Sequence, residues 1–334
     1  MNMKKLTSII LFVLLLCITN ISFAQKENPR KYFNNVNKAE LAIIDSNYQG
    51  ACEYYKKAFK YLQEPFGKDI HNFLLAGLYA NDTLALQMCY PKFVERKYKY
   101  IAYTNESSKL SPYLQYLFEN SNIEPTIDTM FVKLIDSLVN EDQKVRRGSH
   151  TDNDIFNIDS INMKRLVDYM NNNHVFLDEK IIGNKRNCPF FEPYCWLILW
   201  HYSRTAENIQ NPVNLNFREK VIQGKLRPDY YAILCDYNQY SFNGSWSEIR
   251  YGTNTQFFKN KNNDIRVSIP DYTKDLKKLN KERKKIYLCS YEDYLKKLEF
   301  ERKNMEFTFK KELEKTSYFK FLNAMSLQIL QDEE

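Results

Sequence analysis

Apolar positions recur at helical spacing along most of the chain. Met130, Phe131, Leu134, Ile135 and Leu138 lie three or four apart, and Asp142-Gln143-Lys144-Val145-Arg146-Arg147 continues that helix. Ile161 to Met170 reads as another helix, ended by Asn171-Asn172-Asn173, while the polar stretch Gly148 to Asp159 reads as a loop. Val175 to Ile182 leads to Gly183 and a polar loop that closes at Pro193. The most apolar run beyond the N-terminal leader is Tyr194-Cys-Trp-Leu-Ile-Leu-Trp-His-Tyr-Ser-Arg204. It is apolar all round, which predicts a central helix, with Trp196 and Trp200 on one face and Leu197, His201 and Arg204 on another. Phe217 to Gln223 reads as a short helix, and Tyr230 to Tyr237 fits a buried helix or a buried strand equally well. Phe257-Phe258 and Ile265 to Ile269 flank a polar turn and predict a small β-hairpin, stopped by Pro270. From Asp271 the pattern is helical again in at least two pieces, the last over Phe319 to Leu330 with an apolar face that should dock. The fold class predicted is mainly α with a minor β-hairpin.

Residues 36 to 94 contain an internal repeat. A shift of 34 places Leu41 on Leu75, Ala42 on Ala76, Asn47 on Asn81, Ala51 on Ala85 and Phe59 on Phe93. Each unit reads as helix, polar turn, helix, with alanines for close helix contact and phenylalanines beside them. The pair resembles the tetratricopeptide repeat in period and in part of its residues, though no proline stands at the unit ends. An ordinary pair of helical hairpins gives the same pattern. Two units leave an end of the stack uncovered, and Ser111 to Asn120 is the nearest apolar segment able to cover it. Tyr98, Tyr100 and Tyr103 read as a half-exposed connector.

Composition changes this picture mainly at the N-terminus. Lys4-Lys5, an apolar core over Ile9 to Ile18 and Ser22-Phe23-Ala24-Gln25 predict a secretory signal peptide over residues 1–24, cleaved after Ala24. Leu16 stands before Cys17 where a lipoprotein needs a small residue. No later run is long and apolar enough to span a bilayer, so a periplasmic or secreted protein without a transmembrane segment is expected. The net charge of +7 falls to +5 without Lys4 and Lys5, too mild to argue for nucleic acid. The basic run Lys277 to Lys285 reads as a solvated helix face. Six cysteines remain after cleavage, with no Cys-x-x-Cys. Cys52, Cys89 and Cys195 sit in apolar helical patterns as buried thiols, and Cys188 with Cys195 is the one candidate pair across a short loop. The four histidines, His71, His150, His174 and His201, are far apart and none has a partner at metal spacing, so neither a metal nor a cofactor is signalled. His71 is expected on the surface of its helix, and His150 and His174 in loops. With eight glycines there is no phosphate-cradling loop, and Gly244-Ser245 lacks the elbow of a serine hydrolase.

The remaining chemistry lies in scattered short motifs. Asp142-Gln143-x-x-Arg146, the helix ending at His201, Asp236, Tyr251-Gly252-Thr253, Pro270 and Asn280-x-x-Arg283 before Tyr294 resemble a bacterial domain family of unknown function. The resemblance covers residues 126–298. The chain departs from the family at Tyr237, where arginine is usual, at Asn254, where glutamine is usual, and at Ile249. Four segments follow: residues 1–24 as leader, 25–125 as repeats, 126–298 as this domain and 299–334 as a C-terminal docking helix.

Two functions fit. In the first, an exported binding protein contacts a protein or peptide through the repeats, with Tyr48 and Tyr55 on the concave face. In the second, a hydrolase-type enzyme uses His201 as acid or base, with Asp236 and Arg146 as catalytic partners and Asp142, Gln143, Tyr251 and Arg283 holding the ligand. An anionic group would then sit between Arg146 and Arg283. The same residues serve equally to tie helices together, each polar tip satisfied at a core edge.

Overall fold

A computed structural model describes residues 27–96, 122–123, 126–183, 195–203, 216–243, 250–253, 256–259, 265–268, 275–304, 307 and 309. The signal segment, Tyr98 to Tyr103, the cover Ser111 to Asn120, Cys188, Arg204, Pro270 and the helix Phe319 to Leu330 lie outside these residues. The protein is mainly helical.

Four helices come first: α1 (Pro29–Ile44), α2 (Tyr48–Phe59), α3 (Gly67–Tyr79) and α4 (Thr83–Glu95). The turns within each pair follow from local chemistry. Ser46 and Asn81 take left-handed backbone angles, and the next residue caps the following helix: Asn47 accepts from Gly50 N, and Asp82 from Leu84 N. These caps are 35 apart, one more than the best sequence shift. Ala39, Ala42, Ala51, Ala58, Ala76 and Ala85 are buried between the helices, with Tyr55 stacked on Phe73 at 5.5 Å and Phe59 edge-on to it at 5.3 Å. Every residue from Gly67 to Gly77 in α3 is buried. His71 is therefore in the interior, not on the surface as its isolated position suggested; the same helix is held by later parts of the chain, Gly67 by Glu179, Lys68 by Asp229 and Asp69 by Arg227.

The second core is built from α5 (Thr129–Arg147), α6 (Asp152–Asn172), the short α7 (Glu179–Ile182), α8 (Trp196–Ser203), α9 (Phe217–Ile222) and α10 (Pro228–Asn243). Phe131, Leu138, Leu166, Trp196, Leu199, Phe217 and Tyr231 lie in its centre. Helix α6 begins within the stretch read as loop. Thr151 and Asp154 form a reciprocal capping box, so only Gly148 to His150 connect the helices. Asp152, Asn153 and Asp154 make that first turn polar because it faces water. Tyr230 to Tyr237 resolves as helix.

Strands β1 (Gln256–Lys259) and β2 (Ile265–Ser268) pair antiparallel, Phe257 opposite Val267. Helices α11 (Leu276–Lys285) and α12 (Tyr291–Lys303) follow. In α11 Leu279 and Arg283 are buried while Lys277, Lys278 and Lys281 face water or its edge. Helix α12 crosses residue 298, lies against α1, and is followed by Phe307 and Phe309, which belong to the first core.

Candidate functional site

Three arrangements bear on function. The first stands at the polar end of α8. His201 Nδ1 donates to Asp142 Oδ1 at 2.8 Å. Asp142 comes from α5, where Arg146 one turn later reaches the same oxygen at 3.2 Å. Gln143 Nε2 donates to Asp142 Oδ2 at 2.8 Å. Arg146 Nη2 also binds both oxygens of Asp159 on α6, at 2.7 and 2.9 Å. His201, Asp142 and Asp159 are 7%, 1% and 2% exposed, so the cluster sits inside the packing of three helices. The Trp200 ring lies 5.3 Å from the imidazole. His201 Nε2 makes no hydrogen bond to a described residue.

Burial alone would raise the Asp142 carboxyl, but the His201 and Gln143 bonds and the Arg146 charge outweigh it and hold Asp142 below the usual range. Burial pushes the Asp159 carboxyl up, helped by the Asp142 charge, and outweighs the opposing pull of Arg146 and His201. Asp142, Asp159 and His201 each present one ligand atom within 4.8 Å of the others, the separation a metal ion would need. Arg146 already spans both carboxylates, however, so an added cation would have to displace a bound guanidinium.

The second arrangement fixes the Tyr251-Gly252-Thr253 turn. Asp236 on α10 is fully buried and accepts from Tyr251 N at 3.0 Å, Thr253 N at 2.7 Å and Thr253 Oγ1 at 2.6 Å. Arg283 donates to Tyr251 O and, at 2.8 Å, to Cys289 O. Tyr294 OH donates to Thr253 O at 3.0 Å. Gly252 takes a φ of +65°, which permits the tight return that brings two N–H groups to one carboxylate. Burial pushes the Asp236 carboxyl up to about 6 despite these donors and the Arg283 charge.

The motif residues thus form two clusters. Asp142, Gln143, Arg146 and His201 converge; Asp236, Tyr251 and Arg283 converge elsewhere. The carboxylate orienting His201 is Asp142, whereas the bonds of Asp236 go to Tyr251 and Thr253. Arg146 is committed to two aspartates and Arg283 to backbone carbonyls, so the two guanidiniums do not face a shared anion. Sequence reading missed Asp159, which fell in the supposed loop. Its signal was the capping box, which would have carried the helix back to it.

The third arrangement is the face of the first four helices. Tyr48 stacks on Tyr79 at 4.6 Å, and Phe307 lies 6.0 and 5.9 Å from these rings. Phe309 stacks on Phe300 at 5.4 Å. Lys68 Nζ donates to Phe309 O, Phe309 N donates to Glu301, and Phe307 N donates to Asn304 Oδ1 at 3.1 Å. Tyr55, expected on an open concave face, is fully buried.

Among the described residues no helix is long and apolar enough to cross a membrane. No protein-family model, no curated protein and no solved structure matches the chain.

Proposed function

We propose that the chain is an exported binding protein whose tetratricopeptide-like hairpins take an aromatic peptide. The observation that carries this reading is the seating of Phe307 and Phe309 against Tyr48, Tyr79 and Phe300, with a main-chain carbonyl taken by Lys68. Two rings two residues apart, plus main-chain bonds, are the elements by which a helical groove reads a short peptide. The chain's own residues hold the face, so a partner segment competes with them. The test uses the full chain with Phe307→Ala and Phe309→Ala together and a labelled peptide spanning residues 304–310. The variant should bind that peptide at least about tenfold more tightly than the wild type, a difference of about 1.4 kcal/mol. Equal binding by a variant whose far-UV circular dichroism is unchanged would sink the reading.

The His201 cluster favours a second reading, acid–base chemistry of hydrolase type. A carboxylate that fixes Nδ1 and leaves Nε2 without a partner among the described residues is the arrangement a general base requires. Arg146, Gln143 and Asp159 then act as positioning residues through Asp142. Histidine-labelled NMR titration of the wild type and Asp142→Asn tests this. A His201 titration that moves on substitution, on a ring reached by a soluble relaxation agent, supports the acid–base role. A ring that the agent does not reach makes the cluster a helix tie.

A further inference from the structure

The polar contacts at Phe309 have a direction. Its N–H donates to Glu301 on α12, and its carbonyl oxygen accepts from Lys68 on α3. An acid thus meets the amide and a cation meets the carbonyl. A chain-terminal residue presents its groups in the same order, an N–H on one side and a carboxylate on the other. Lys68 is buried and bound to Asp229 at 2.7 Å, so its ammonium is fixed in place.

Phe309 also lines a cavity of about 70 Å³, together with Arg227, Arg283, Lys297, Glu40 and Asp229. Cations outnumber carboxylates on this wall, and Lys68, bonded to Asp229 and Phe309, adds another. Arg283 is 1% exposed and spends its bonds on the carbonyls of Tyr251 and Cys289 and on the Cys289 sulfur. No carboxylate among the described residues hydrogen-bonds to it. Asp69 and Asp236 bond to members of the wall, Arg227 and Thr253. Burial raises the carboxyls of Glu40 and Asp236, the latter to about 6, which biases both toward their neutral forms. Asp229 shows the sign of the local field: burial alone would raise it, yet Arg227 and Lys68 hold it well below the usual carboxylate range.

We propose that the peptide taken by the hairpins is a chain end: two aromatic residues spaced as Phe307 and Phe309, the second carrying a free C-terminal carboxylate that binds Lys68 and faces the cations of the cavity. The inference rests on the peptide reading above and narrows its partner. A C-terminal carboxyl titrates near about 3.5 and is ionised at neutral pH. The chain's own segment offers Lys68 a neutral carbonyl where such a partner offers a full charge. A hydrogen bond to an ionised acceptor is roughly twice as strong as one to a neutral acceptor. The terminal partner therefore displaces Phe309 where an internal segment only matches it. One carboxylate oxygen takes the place of Phe309 O. The other needs the room of about one water, roughly 10–15 Å³, which the cavity exceeds.

The test uses the full chain with Phe307→Ala and Phe309→Ala together and three peptides labelled at their N-termini. The first spans residues 304–309 with a free carboxylate, and the second is the same peptide as its C-terminal amide. The third spans residues 304–310 as an amide with Lys310→Glu. Fluorescence anisotropy gives each Kd. The acid should bind about tenfold more tightly than its amide, equivalent to about 1.4 kcal/mol. It should keep that advantage in about 1 M salt, where screening confines exposed charges to about 3 Å. Adding Lys68→Gln to the double variant should bring the two peptides level. Equal binding of acid and amide, both tighter to the variant than to the wild type, overturns the chain-end proposal and leaves the peptide reading standing. An advantage lost in salt reflects general attraction to a chain of net charge +7 and overturns the proposal as well. A Lys310→Glu amide that matches the acid shows that a side-chain carboxylate serves and that the chain end is not read. If no peptide binds the variant more tightly than the wild type, both readings fall. The acid–amide comparison needs no change at Lys68, so it decides the matter even if Lys68→Gln fails to fold.

Discussion

Asp142 and Asp236 are both sealed from solvent, yet they should answer to pH in opposite directions. The folded pKa of Asp142 lies below its unfolded value of 3.8, so its contribution to stability is present above that pH and lost as pH falls through the folded value. Asp236 titrates near 6 in the folded chain against 3.8 unfolded. Its favourable contribution is complete below 3.8 and is lost as pH rises through about 6. Urea unfolding of the wild type beside Asp142→Asn and Asp236→Asn reads both. Between pH 4 and 7 the advantage of the wild type over D236N should fall by on the order of 1–3 kcal/mol. Its advantage over D142N should shrink below pH 4, starting from about 1–3 kcal/mol. Parallel pH curves for the two variants would mean that neighbours, and not burial, set the state of Asp236.

Helix contacts add constraints that no single side chain carries. A Cβ built on Gly77 of α3 would stand 2.3 Å from the Cβ of Ala85 on α4, with Asp82 O at 3.4 Å. Alanine gains up to about 1 kcal/mol over glycine inside a helix. Forcing the two backbones apart costs about 1–3 kcal/mol. Gly77→Ala should therefore lower the urea midpoint; an unchanged or raised midpoint would show that α3 and α4 can separate without loss. The sequence carried part of this organisation. Phe131, Leu134, Ile135 and Leu138 lie on the core side of α5, so its helical period is explicit, whereas Met130 at its start is exposed. The repeat placed small residues where helices approach, although the shift of 34 missed the true cap spacing by one. What stayed hidden depends on contacts between distant segments. The polar start of α6 looks like a loop because water, not the core, meets its first turn. His71 looks exposed because its burial comes from tertiary packing, which a one-hairpin reading does not contain. At the candidate site, the sharing of a face by Asp142 and Arg146 follows from a spacing of four. The assignment of His201 to Asp142 and of Asp236 to the Tyr251 turn depends on how α5, α8 and α10 pack, which short motifs do not encode.

The two cores are joined by buried ion pairs. Arg96, 1% exposed, donates to Pro65 O at 2.8 Å and reaches Glu64 and Glu179. Arg227 binds Asp69 at 2.8 Å and Asp229 at 3.0 Å, Lys68 binds Asp229 at 2.7 Å, and Lys297 binds Glu40. Tyr32 OH donates to the same Asp69 oxygen at 2.6 Å, and the Arg227 guanidinium lies 5.3 Å from the Phe66 ring centre. Each of these bonds from Arg227, Lys68 and Lys297 crosses between the first hairpins and later elements or braces one that does. Desolvating so many charges contributes little net stability, but removing one partner strands the others, at about 3–5 kcal/mol. The halves should consequently unfold as one unit. Trp196 and Trp200 lie on α8 in the second core, so their fluorescence reports that core, while far-UV circular dichroism reports both. In the wild type the two signals should share one urea midpoint. Arg227→Met leaves Asp69 and Asp229 without their guanidinium and should shift that midpoint down or split the two signals. Separate midpoints already in the wild type would mean that the hairpins are an independent domain and that the ionic seam does not couple them. An unshifted R227M would mean that Lys68 and Tyr32 satisfy both aspartates without help.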